Sequence, residues 1–68
     1  MTKAHVEITQ ITNINWEVKI IMYHIDSTME IHKKNGIMFR EALRYVLDYT
    51  KEADVIGFDV YHLSGKEI

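Results

Sequence analysis

Four histidines, His5, His24, His32 and His62, are the side chains of this sequence best suited to work at neutral pH, as general bases or as metal ligands. A zinc site needs three or four converging ligands, and neither a cysteine nor an HExxH pair accompanies these four. His24 and His62 fall at corresponding ends of two expected strands and could meet, but their spacing is not that of a structural zinc site. The expectation is therefore strand-end histidines, no metal and no cofactor. Ser27 falls in a turn and Ser64 in a tail, and neither has the strained elbow that exposes a nucleophile. Glu41 and Asp48 lie on a solvated helix face where nothing would raise a carboxyl pKa. Gly36, Gly57 and Gly65 are isolated, so no glycine loop cradles a phosphate. The chain reads as a protein other than an enzyme, with too little room for a catalytic pocket.

Binding chemistry is better represented. Tyr45 and Tyr49 stand one helical turn apart, with Met38 beside them, and tyrosine offers large contact area at low entropic cost. Glu41 and Asp48 would give such a contact orientation and charge complementarity. A second candidate is the basic run His32, Lys33, Lys34 with Arg40 and Arg44, which could bind nucleic acid if Tyr23 and Tyr61 stacked bases on a sheet face. Glu7, Glu17, Glu30 and Asp59 fall on or near the same surfaces and oppose that use.

The element that must present the tyrosines is a helix expected over Met38 to Glu52. Phe39, Ala42, Leu43, Val46 and Leu47 recur at i, i+3, i+4 and i+7 and predict its core-facing stripe. Met38, Tyr45 and Tyr49 lie beside that stripe, which makes the apolar arc too wide for so small a protein to cover alone. Its charged side, Arg40, Glu41, Arg44, Asp48, Lys51 and Glu52, allows pairs between Arg44 and Asp48 and between Glu41 and Arg44.

Upstream, residues 4 to 12 alternate as a strand with Val6 and Ile8 on one side, and Asn13 to Asn15 read as a turn. Trp16 to Ile25 is rich in β-branched and aromatic residues. Trp16, Val18, Ile20 and Met22 take one face and Glu17, Lys19, Ile21, Tyr23 and Ile25 the other, as a central strand would arrange them. Asp26 to Thr28 is a second turn, and Met29 to Lys33 a short strand with Glu30 and His32 pointing the same way. Asn35-Gly36 reads as a turn, Asn35 being a possible helix cap. Val55 to Leu63 is the last strand, with Ile56, Phe58 and Val60 on one face and Val55, Asp59, Tyr61 and Leu63 on the other, and Ser64 to Ile68 should fray. The order β-β-β-α-β predicts an α+β fold, a small, mainly antiparallel sheet with one helix on one face. The other face would show Ile21, Tyr23, Ile25, Tyr61 and Leu63, apolar enough to suggest a homodimer.

With 68 residues the chain is expected to form a single domain over 1–68, burying only about 60% of the surface of its unfolded form. A net charge of −2 with mixed signs is not the footprint of a nucleic-acid binder, and the lack of cysteine favours a reducing compartment. No stretch approaches the roughly 20 apolar residues of a membrane span, and Met1 to Gln10 has no signal-peptide core. A cytoplasmic protein is expected.

The stretches Trp16-Glu17-Val18-Lys19, Glu30-Ile31-His32-Lys33 leading into Gly36-Ile37, and Ala53-Asp54-Val55-Ile56 after a helix resemble the short uracil-DNA glycosylase inhibitors of certain Bacillus phages. The likeness spans most of the chain after residue 15. It implies a phage-encoded homodimer that imitates DNA in the cleft of the host repair enzyme, and it carries over Glu30 and His32 as contacts. The expected function is stoichiometric inhibition of a host enzyme through Glu30, His32, Met38, Glu41, Tyr45, Asp48 and Tyr49. The alternatives are another host defence target, such as a CRISPR effector or toxin, and a small nucleic-acid-binding module.

Overall fold

A computed structural model describes residues 2–63, so the expectations for Ser64 to Ile68 fall outside the described residues. The elements are β1 (Thr2–Gln10), β2 (Trp16–Tyr23), β3 (Met29–Ile37), α1 (Phe39–Tyr49) and β4 (Ala53–Tyr61), in the expected β-β-β-α-β order. They form a four-stranded sheet ordered β3-β2-β1-β4. β1 to β3 make an antiparallel meander, and β4 returns to lie parallel to β1.

The core follows from strand alternation. Ala4, Val6 and Ile8 of β1 stand beside Val18 and Ile20 of β2, all fully buried on one face, under Ala42 and Val46 of the helix. Trp16 and Phe39, with ring centroids 4.7 Å apart, pack where the helix begins. Two local connections hold the meander. The Ile11 and Thr12 amides both donate to the Asn15 carbonyl in the first loop. In the second, the Asp26 carboxylate accepts the Thr28 hydroxyl at 2.6 Å and the Thr28 amide at 3.0 Å. Those two bonds, the hydroxyl first, hold the Asp26 carboxyl below the usual range.

Five expectations are corrected. Asn35-Gly36 is no turn: β3 runs on to Ile37, and these two residues together oppose Glu17 between the pairs Val18–Lys34 and Trp16–Ile37. Gly36, at φ +69°, supplies the left-handed conformation that this bulge uses. The helix is shorter than Met38–Glu52, and its cap is Met38 rather than Asn35, with the Met38 amide donating to the Glu41 carboxylate at 3.2 Å.

The helix is also rotated from its expected setting. Leu43 and Leu47, assigned to the core stripe, are 37% and 67% exposed, whereas Tyr45 packs against the core. Finally, the register of β4 against β1 shifts at Ile56, so that Ala4 pairs with Val55 but Val6 with Phe58. The extra residue brings Val55 onto the same face as Phe58 and Val60. The opposite sheet face carries Ile21, Tyr23 and Tyr61 as expected and adds Met29 and Ile31, while Ile25 and Leu63 lie beyond the strands.

Candidate functional site

The helix lies over the sheet so that its tyrosine side faces β3. The Tyr45 and Tyr49 ring centroids are 4.6 Å apart, and Tyr49 in turn meets the His32 ring at 4.3 Å. Lys34, two residues along β3 from His32 and so on the same face, places Nζ 5.8 Å from the Tyr45 centroid. Desolvation, with Tyr49 as the second cause, raises the Tyr45 phenol above its ordinary pKa, which keeps it neutral.

Glu30 extends this line. His32 Nε2 lies 3.1 Å from Glu30 Oε2, and His24 Nε2 approaches Glu30 Oε1 at 3.5 Å from the other side. The His24 Nδ1 is 3.2 Å from the Thr2 hydroxyl, while its Nε2 is buried without a hydrogen-bond partner. The His32 hydrogen bond holds the Glu30 carboxyl below the ordinary glutamate range, overcoming partial desolvation, with the charge of His24 assisting. A carboxyl depressed in the folded state adds stability that is present above its unfolded pKa and is lost as pH falls through its folded pKa. Thermal melts between about pH 6 and pH 3 should therefore fall less steeply for Glu30→Gln than for the wild type. Parallel slopes would show that the histidines give Glu30 no net stabilisation.

Three shallow depressions follow the helix beside this aromatic row. Met38, Arg40, Glu41 and Arg44 line one of about 270 Å³. Lys34, Glu41, Arg44, Tyr45 and Asp48 line the next, of about 160 Å³. Tyr49 and Asp48 border a third of about 420 Å³, with Thr2, Met22, Lys51 and Glu52. Because neighbouring depressions share residues, Met38, Glu41, Tyr45, Asp48 and Tyr49 form one ledge, joined through the Tyr49–His32 contact to His32 and Glu30. Glu41 also has the structural task of capping the helix. Sequence reasoning missed His24 and Lys34 here. Continuing the β2–β3 register, Met22 opposite Glu30 and Ile20 opposite His32, would have placed His24 on the same face.

Other expected groupings do not form. His24 lies beside Thr2 at the start of β1, where β4 begins, whereas His62 follows the end of β4, so the two stand at opposite ends of the sheet. Tyr23 and Tyr61 are separated in the same way. The basic run is divided, because Lys33 turns to the far face, 3.9 Å from Glu17, while Lys34 covers Tyr45. Among the described residues Arg44 closes an ion pair with neither Asp48 nor Glu41; the pairs that form join strand residues to one another or to His24, just past β2. No group of three or more His, Asp or Glu among the described residues is arranged to hold a metal ion. Nor is any described helix long and apolar enough to cross a membrane.

Comparison with known protein families, curated proteins and solved structures returns no match for this chain.

Proposed function

We propose that this protein is a stoichiometric inhibitor that binds a host enzyme through the helix ledge and blocks it, acting in the cytoplasm of a phage-infected cell. The observation that carries this reading is the row His32–Tyr49–Tyr45, its rings 4.3 and 4.6 Å apart and bordered by Glu30, Glu41 and Asp48. Stacked aromatic rings held by a strand and a helix give a preformed anchor that loses little entropy on binding. Glu30, Glu41 and Asp48, interleaved with Lys34 and Arg44, give it acidic points for the basic cleft of an enzyme that binds nucleic acid.

Uracil-DNA glycosylase is the target we put first, on the resemblance carried by Trp16–Lys19, Glu30–Lys33 and Ala53–Ile56. In that reading Glu30, Glu41 and Asp48 stand in for DNA phosphates and the tyrosine row takes an apolar side chain of the enzyme. Titrating the purified protein into a bacterial uracil-DNA glycosylase assay, with size-exclusion chromatography of the mixture, tests it. Complete inhibition at one equivalent with co-elution is the expected result. Full residual activity and separate peaks would remove this target and turn the search to other host defence proteins.

A further inference from the structure

We propose that the depression at the end of the helix receives one arginine side chain of a protein partner, an inference that rests on reading the helix ledge as the binding surface. The depression holds about 420 Å³ between Thr2, Met22, Asp48, Tyr49, Lys51 and Glu52. It exists because the sheet runs on past the helix: α1 stops at Tyr49, above the place where β1 begins and β2 ends. Met22, paired with the buried Ala4 and so on the helix side of the sheet, forms the floor together with Thr2.

The helix end makes this space electronegative. The last turn of α1 contains Asp48 and no basic residue, so the negative end of the helix is not neutralised within that turn. Glu52 adds a second carboxylate to the lining, and Glu30, the cross-strand neighbour of Met22 held between His24 and His32, adds a third beside the floor. Against these the lining sets Lys51, which among the described residues pairs with neither Asp48 nor Glu52. Such an excess favours a positive guest. No group of His, Asp or Glu among the described residues is arranged as metal ligands are, so the guest is not an inorganic cation.

The apolar part of the lining selects among organic cations. Met22 supplies a soft floor, and Tyr49 an aromatic wall that His32 and Tyr45 hold in place at 4.3 and 4.6 Å. Arginine matches both parts, because its methylene stem lies well on apolar surface while its planar guanidinium offers five donors to more than one carboxylate. Lysine ends in a compact, strongly hydrated ammonium, which gives up more hydration for fewer directed bonds. Arginine is also abundant in clefts that bind nucleic acid, the kind of surface the ledge is proposed to cover.

The test titrates N-acetyl-arginine amide into the whole protein near neutral pH, with NMR readout at the Met22 methyl and the Tyr49 ring, and the uncharged citrulline analogue in parallel. Saturable shifts at both residues, with a dissociation constant of order 1 mM and with Met38 unmoved at the far end of the ledge, are the expected result. The citrulline analogue should bind at least about tenfold more weakly. Asp48→Asn combined with Glu52→Gln should weaken the arginine probe about tenfold, whereas Lys51→Gln should strengthen it about twofold. All three residues are exposed, and changes of opposite sign cannot both come from misfolding. No shift at tens of millimolar, equal binding of citrulline, or a double variant that binds as the wild type does would each overturn the proposal. Because the probe replaces the partner, such a failure leaves the ledge itself to the glycosylase assay. Saturation by the probe beside a fully active glycosylase would support the receptor and assign it to a different partner.

Discussion

Tyr49→Ala is expected to weaken target binding about thirtyfold or more while leaving the melting temperature within a few degrees of the wild type. Tyr49 is 40% exposed and stacks between His32 and Tyr45, so truncation removes the centre of the ledge and little of the core. A loss of that size is about 2 kcal/mol, ordinary for a central aromatic anchor. Tyr45 is a poorer probe, because it packs against the core and its removal would lower stability along with affinity. Isothermal titration of Tyr49→Ala against the proposed target, uracil-DNA glycosylase, beside a thermal melt, separates the two effects. Unchanged affinity would move the interface off this ledge, and a collapsed melt would make Tyr49 part of the core.

The largest effect on stability is expected at Ile20. It is fully buried on β2, pairs with Val6 across the strand and stands beneath the helix. Truncation to alanine should cost about 2–5 kcal/mol, transfer and cavity together. For a small domain whose whole stability is of order 5 kcal/mol, that leaves a large unfolded fraction at room temperature. Urea denaturation should show the midpoint falling with the slope unchanged. A loss below about 1 kcal/mol would mean that helix and sheet close over the gap, in conflict with a packed core at this position.

The parts of this architecture visible in the sequence are those set by local period. The alternation of Trp16, Val18, Ile20 and Met22 identifies the core face of β2, and the helical spacing of Ala42 and Val46 places the helix on it. What alternation cannot show is a residue that breaks it. Asn35-Gly36 has the composition of a turn, but the positive φ of Gly36 serves a bulge in a continuing strand. At Ile56 a second irregularity moves Val55 to the other face. The helix setting is hidden from the sequence for a different reason: its apolar arc is wider than the core needs, and only the position of β3 decides that Tyr45 leans inward and Leu47 outward. The histidine pair around Glu30 depends on hairpin register, which neither segment alone reveals.

The parallel pairing of β4 with β1 also sets the order in which this molecule can assemble. The β1–β2–β3 meander joins neighbours in sequence, whereas β4 must find β1 across almost the whole chain, Ala4 meeting Val55, after the helix has crossed the sheet. Contacts so distant in sequence close late, because the entropy of the long loop is lost before the pairing compensates for it. Until then β1 keeps an open edge, with Val6 and Ile8 lacking Phe58 and Val60 beside them. β4 is therefore expected to pair last, and until it does a different strand could occupy its place. The speed of helix docking and β4 closure governs how much of the protein escapes such mispairing.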